Sequence, residues 1–279
     1  MKLLAAAVAV VILAGLPAQA QVQAEPGSAP SPIQAEKIIL VGDSTTAVLS
    51  GWGSAFCDRH VLSRLTCVNL AREGRSTSSY RAEGSWEIAL GEMATPGYAR
   101  TYVLIQFGHN DQPGKPGRST DLATEFPANL ARYVEEARAR GAIPVLVTPL
   151  ARRQFVDGVL QNTLEPWAEA ARRVAEETGA PLIDLNRLSA AAVQAMGPAA
   201  AASLAQLPPP PEVATALLSG TTPELSPAVR PQAAEGVFGH PPLAFDYTHL
   251  GSEGAAFIAT LMTQELGRVL PELRPNLVP

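Results

Sequence analysis

The sequence is short of the residues on which metal and redox chemistry depend: its 279 residues include two cysteines and four histidines. Two thiols without neighbouring histidines supply too few ligands for a zinc site, and His60, His109, His240 and His249 are too scattered to form a ligand set. No glycine-rich loop has phosphate-binding spacing. No metal or organic cofactor is therefore expected. Charge is sparse as well. Charged residues make up 17% of the chain and the net charge is -5, so there is no basic face for a nucleic acid. No run of like charge suggests an interaction tail. No internal repeat is evident, and after residue 16 no stretch is apolar for long enough to cross a bilayer.

What is present begins with an export signature. Lys2 gives a short positive region, Leu3 to Leu16 form an apolar run, and Ala18-Gln19-Ala20 offers an A-x-A cleavage site. Residues 1–20 read as a signal peptide, which places the protein in the periplasm or the medium, without stable membrane association after cleavage. Residues 21–35, rich in Pro, Ala, Gln and Ser, read as a disordered leader. Residues 36–279 read as a single domain. In an exported protein Cys57 and Cys67 can form a disulfide, the alternative being two small core residues.

Five compact apolar runs read as strands: Lys37–Val41, Cys67–Leu70, Thr101–Phe107, Ile143–Thr148 and Pro181–Leu185. Helical periodicity lies between them. Leu122, Phe126, Leu130, Tyr133 and Ala137 share one helix face. Leu164, Trp167, Ala171 and Val174 share another, and Phe257, Ile258, Leu261, Met262 and Leu266 mark a last amphipathic helix. Alternating strands and helices imply βαβ units around a parallel sheet, with chemistry gathered at the carboxyl ends of the strands. The Ala- and Pro-rich stretch at about 190–242 breaks this rhythm. It reads as an insertion, part helix and part extended, wrapped on the surface near the site.

Ser44, in Gly42-Asp43-Ser44-Thr45, leaves the first strand directly, where a hydroxyl projects above the sheet and the next N–H groups can face an oxyanion. Its base is sought among the histidines. His249 stands three residues after Asp246, a spacing that lets the carboxylate reach Nδ1 and fix the tautomer. His109, directly after Gly108 at a strand end, competes for the same role or holds its loop. His60 lies in a helical stretch and is expected at the surface, and His240 has no evident role. The order Ser, Asp, His is shared with α/β-hydrolases, but the G-x-S-x-G elbow is missing; Gly74-Arg75-Ser76-Thr77-Ser78 lacks the second glycine. Gly74, after the second strand, and Asn110, after the third, are suited to donate to an oxyanion together with the N–H of Ser44.

Together these blocks resemble the SGNH, or GDSL, hydrolases, whose named serine, glycine, asparagine and histidine fall here on Ser44, Gly74, Asn110 and His249, with Asp246 three before the histidine. A closer likeness, to rhamnogalacturonan acetylesterases, rests on Gly42-Asp43-Ser44-Thr45, Gly51-Trp52-Gly53, Gly74-Arg75-Ser76 with Ser79-Tyr80, Gln106 to Asp111, Thr148 to Arg153, and Asp246 to His249. The resemblance implies a three-layer α/β/α sandwich with a five-stranded parallel sheet of flavodoxin-like order, and removal of acetyl groups from pectic polysaccharide by a Ser-His-Asp acyl-enzyme route. The expected partner is an acetylated polysaccharide or oligosaccharide, met by a monomer. Arg75, Arg81 and His109 are candidates to touch substrate, the arginines by pairing with a uronate carboxylate. Two other readings stand: the same chemistry on acetylated xylan, peptidoglycan, a lysophospholipid or a lipid, and a non-catalytic carbohydrate-binding protein. The second would need exposed aromatic platforms, and aromatics are only 5% of the chain.

Overall fold

The structure is a computed structural model and describes residues 33–225 and 243–279. The signal peptide, most of the leader, His240 and the end of the 190–242 stretch lie outside the described residues. In chain order the strands are β1 (Glu36–Gly42), β2 (Leu65–Asn69), β3 (Arg100–Gln106), β4 (Ile143–Val147), β5 (Phe155–Val156), β6 (Val159–Leu160) and β7 (Leu182–Ile183). The helices are α1 (Gly53–Arg59), α2 (Ser79–Ala82), α3 (Ser85–Met93), α4 (Glu125–Ala139), α5 (Glu165–Thr178), α6 (Leu185–Ala201), α7 (Pro211–Leu217) and α8 (Ser252–Val269).

All five runs read as strands join one parallel sheet of order β2-β1-β3-β4-β7, while β5 and β6 form a separate antiparallel hairpin. Every residue of β1 is buried, as expected of a strand paired on both edges and covered on both faces. Successive side chains alternate between those faces. Ile39, Val41, Val103 and Ile105 meet Tyr80, Trp86, Phe126, Leu130, Tyr133 and Val174 from α2 to α5. Ile38, Leu40, Leu104 and Val145 meet Phe56 of α1 and Ile258, Met262 and Leu266 of α8 on the other side. The result is an α/β/α sandwich. Each aliphatic side chain taken fully out of water in β1 contributes roughly 1.5–3 kcal/mol.

The strand order reverses around β1, so the loops leaving β1 and β3 diverge and open a crevice at their carboxyl ends. Ser44, Gly74, Asn110 and Arg153 follow β1, β2, β3 and β4 respectively. The Ala-rich stretch starts inside α6, which kinks at Gly197, and continues through α7. Ala202, Val213 and Leu217 there build a small satellite core with Phe245 and Tyr247, just ahead of His249.

Cys57 of α1 and Cys67 of β2 are joined in a disulfide that fastens the helix to the edge strand. The bond spans a sequence separation of 10, and in the chain-entropy account a loop of that size stabilises the fold by about 2–3 kcal/mol. Thermal unfolding with and without a reductant should therefore differ, the reduced protein melting lower. An unchanged Tm would mean that the bond adds nothing to stability.

Candidate active site

Ser44 sits where β1 gives way to a tight turn. Asp43 Oδ1 accepts hydrogen bonds from the Thr45 N–H (2.8 Å) and the Thr45 hydroxyl (2.7 Å), and the Asp43 carbonyl accepts from Thr46 and Ala47. The turn presses on β3 so closely that a side chain at Gly42 would stand 2.7 Å from the Gln106 carbonyl. Gln106 then pins the turn from below. Its Oε1 accepts from Thr46 Oγ1 (2.8 Å) and Trp52 Nε1 (2.7 Å), and its Nε2 donates to Thr45 Oγ1 (3.2 Å). The buried hydrogen bonds of Asp43 Oδ1 and of Gln106 hold the turn in one geometry.

His249 reaches Ser44 from the turn before α8, with Nε2 3.0 Å from Ser44 Oγ. Its Nδ1 lies 2.6 Å from Asp246 Oδ2. Asp246 is held ionised, at about 2, because hydrogen bonds from His249 and the His249 charge outweigh the opposing effect of burial. An ionised carboxylate can only accept, so Nδ1 carries the proton and Nε2 is left to accept from the serine hydroxyl. The imidazole pKa is raised: burial alone would lower it, and the hydrogen bond and charge of Asp246 prevail. The other oxygen of Asp246 accepts from the N–H groups of Thr248 and His249, each at 2.7 Å, which fixes the carboxylate within its own loop.

The residues expected as oxyanion donors lie in the loops after β2 and β3. Gly74 has φ +74°, a conformation that side chains rarely adopt. Asn110 Nδ2 donates to the Arg75 carbonyl at 3.0 Å, leaving its second hydrogen for a ligand. Among the described residues the N–H groups of Ser44 and Gly74 have no acceptor within the protein. Asp111 ties the loops after β2 and β3 together, accepting from the Thr77 N–H (3.0 Å) and from Thr120 Oγ1 (2.9 Å), and burial pushes its carboxyl up to about 6. The arrangement can take a proton from a hydroxyl and offer N–H groups to a developing negative oxygen.

Other expected residues are placed differently. His109 is buried, only 2% exposed, with Nδ1 3.5 Å from Asp43 Oδ2 and no hydrogen bond to either ring nitrogen. Burial lowers its pKa against the pull of Asp43, and the ring is enclosed beside that carboxylate. Arg81 is bidentate on Glu136, and Arg75 pairs with Glu83 at 2.6 Å, so neither expected arginine is free for a substrate carboxylate. His60 is not at the surface: it is buried at the end of α1, with Nδ1 2.6 Å from the Val278 carbonyl. The chain's C-terminal residues fold back to cover it.

One residue without a role assigned from the sequence holds the histidine turn. Arg153 is 3% exposed and among the described residues has no carboxylate partner; its Nη2 donates to the carbonyls of Asp246 (2.8 Å) and His249 (2.9 Å), and its Nη1 to that of Thr248 (3.3 Å). Its own N–H donates to the Tyr247 carbonyl at 2.9 Å, and the Tyr247 hydroxyl donates to Pro223 at 2.8 Å. The planar fork of a guanidinium serves several carbonyls at once, which an ammonium does not. Arg153→Lys is therefore expected to lower kcat by about 10²-fold through misplacement of His249, with KM little changed. Arg153→Ala should in addition melt earlier, because buried carbonyls lose their donors at about 1–3 kcal/mol each. A wild-type kcat in Arg153→Lys would remove this positioning role.

Residues 40–236 match the sequence profile of the GDSL-like Lipase/Acylhydrolase family. Rhamnogalacturonan acetylesterase RhgT of Bacillus subtilis is 38% identical over 178 residues, covering 60% of this chain and 71% of the relative. The probable rhamnogalacturonan acetylesterase YesY of the same organism is 34% identical over 164 residues, covering 56% and 73%. The crystal structure of YxiM from Bacillus subtilis shares the fold, with a TM-score of 0.58 and 23% identity over 85% of this chain and 57% of that one. The acetylxylan esterase Axe2 of Geobacillus stearothermophilus does so with a TM-score of 0.54 and 18% identity over 84% and 96%. The family match across more than half of the chain, with its flavodoxin-like sheet, makes this protein a member of the GDSL-like lipase/acylhydrolase, or SGNH, family and a carboxylic ester hydrolase.

Proposed function

We propose that the protein removes acetyl groups from plant cell-wall polysaccharide, rhamnogalacturonan foremost, by a Ser-His-Asp acyl-enzyme mechanism. The observation that carries this reading is the unbroken chain Asp246–His249–Ser44, at 2.6 and 3.0 Å, together with N–H groups at Ser44 and Gly74 that have no acceptor among the described residues. Likeness to relatives named rhamnogalacturonan acetylesterases supports the choice of substrate.

In the proposed reaction Ser44 Oγ attacks the carbonyl carbon of the acetyl ester and its proton passes to His249 Nε2. The carbonyl oxygen takes the negative charge, held by the Ser44 and Gly74 N–H groups and the Asn110 amide. As the carbon–oxygen bond to the sugar breaks, His249 returns the proton to the departing sugar oxygen. Water then attacks the acetyl-serine, again losing its proton to His249, and acetate leaves as Ser44 is restored. Asp246 keeps its charge throughout and stabilises the imidazolium. Export through residues 1–20 would bring the enzyme to its polymer, a single domain spanning residues 36–279.

Ser44→Ala and His249→Ala should each lower kcat on an aryl acetate by about 10³-fold or more. The base must be neutral to accept a proton, and the His249 pKa is raised above the ordinary 6.5. Hence kcat/KM should fall as pH drops through a value above 6.5, and Asp246→Asn should move that limb to lower pH while lowering kcat by about 10⁴-fold. An acid limb that stays in place in Asp246→Asn would break the assignment. Substrate is tested by acetate release from native rhamnogalacturonan, homogalacturonan, xylan and peptidoglycan, and by acetate, butyrate and octanoate aryl esters. Release should be greatest from rhamnogalacturonan, and a preference for octanoate would contradict the carbohydrate reading.

A further inference from the structure

Three cations stand around the site without a carboxylate of their own. Lys115 Nζ lies 3.5 Å from Asn110 Oδ1, and Arg118 Nη1 donates to the Gly74 carbonyl at 3.3 Å. Arg152 donates through Nε to Thr248 Oγ1 (3.2 Å), next to His249, and through Nη1 to Thr163 Oγ1 (3.0 Å). All their hydrogen-bond partners are neutral, and among the described residues none of the three makes an ion pair. Elsewhere the half-buried arginines are matched: Arg81 with Glu136, Arg172 with Asp184.

Each of the three is half-buried, and they lie within one another's field. Lys115 is pulled below its ordinary value by burial and then by the charges of Arg152 and Arg118. Gathering like charges in partial burial is unfavourable unless an anion compensates. The nearby acids are committed elsewhere. Asp43 and Asp111 lie in the floor holding Thr45 and Thr77, Asp246 holds His249, and Glu73 accepts from Ser50 at 2.9 Å. Nor does the loop need these side chains for its shape. The Lys115 N–H donates to Ser119 Oγ (2.9 Å), and the N–H groups of Arg118 and Ser119 both close on the Lys115 carbonyl (3.0 Å each).

We propose that Lys115, Arg118 and Arg152 form an anion subsite that takes the carboxylate of a uronate on, or next to, the acetylated sugar. The proposal rests on the carbohydrate-ester reading and sharpens it. It places the carboxylate beside the oxyanion donors Asn110 and Gly74, and it separates a uronate-bearing substrate from neutral acetylated xylan, which has nothing to offer these charges.

The test uses the full-length protein and 4-nitrophenyl acetate hydrolysis as reporter, with oligogalacturonate and its methyl ester as competing inhibitors. The acid should inhibit about tenfold more strongly than the neutral ester, and added salt should erase the difference. The double variant Lys115→Gln, Arg118→Gln should lose the difference as well. Equal inhibition by acid and ester in the wild type would overturn the subsite without reference to any variant. So would a double variant that keeps the wild-type preference, or one whose only defect is an equal loss on every ester, since the cations would then serve the oxyanion alone. Acetate release from acetylated xylo-oligosaccharide and acetylated uronate oligosaccharide is measured in parallel. Release from both at equal rates removes the subsite and leaves the carbohydrate reading standing. Release from neither, with the aryl acetate still cleaved, removes the carbohydrate reading itself.

Discussion

A hydroxyl on the turn after β1 must meet an imidazole on the turn before α8, and 205 residues of chain separate them. Nothing local brings these groups together. The 3.0 Å contact depends on the sheet placing the ends of β1 and β4 at fixed distances, and on each turn being held independently. The serine turn is held by Asp43 and Gln106, both buried and hydrogen-bonded. The histidine turn is held by Asp246 from within and by Arg153 from the end of β4. Two turns held on one sheet bring the hydroxyl and the imidazole to hydrogen-bonding distance, the preorganisation that the proposed reaction requires.

The electrostatics of the site divide into layers. Asp43, His109 and Asp111 lie in the buried floor, where desolvation keeps His109 neutral and pushes Asp111 towards neutrality. Above them Asp246 keeps its charge because hydrogen bonds from His249 and two backbone N–H groups compensate it. Lys115, Arg118 and Arg152, which touch Asn110, Gly74 and Thr248, bring positive charge next to these loops. The chain's net charge of -5 gives no hint of these local cations.

The fold was legible in the sequence because its strands are short apolar runs that end at polar loops, and their length and β-branched content distinguish them from the intervening helices with their 3.6-residue periodicity. Ser44, Gly74, Asn110 and His249 were legible through their positions beside strand ends and before the last helix. Arg153 was not, because its partners are backbone carbonyls, which leave no mark on residue identity. Arg81 looked free because Glu136 lies 55 residues away and only folding brings it close, whereas the partner of Arg75, Glu83, is only eight residues on. His60 read as exposed because the segment that buries it comes from the far end of the chain. Lys115 and Arg118 follow Asn110 closely in a Pro- and Gly-containing loop, and that proximity was the available signal.

The central claim is that Ser44 Oγ is the atom that becomes acylated. Rapid quenching of the protein with 4-nitrophenyl acetate at low pH, followed by peptide mass spectrometry, tests it most directly. The account predicts the added mass of one acetyl group on the peptide carrying Ser44, and its absence in His249→Ala. An acetyl group found instead on another side chain, or turnover with no acylated serine at any quench time, would contradict it.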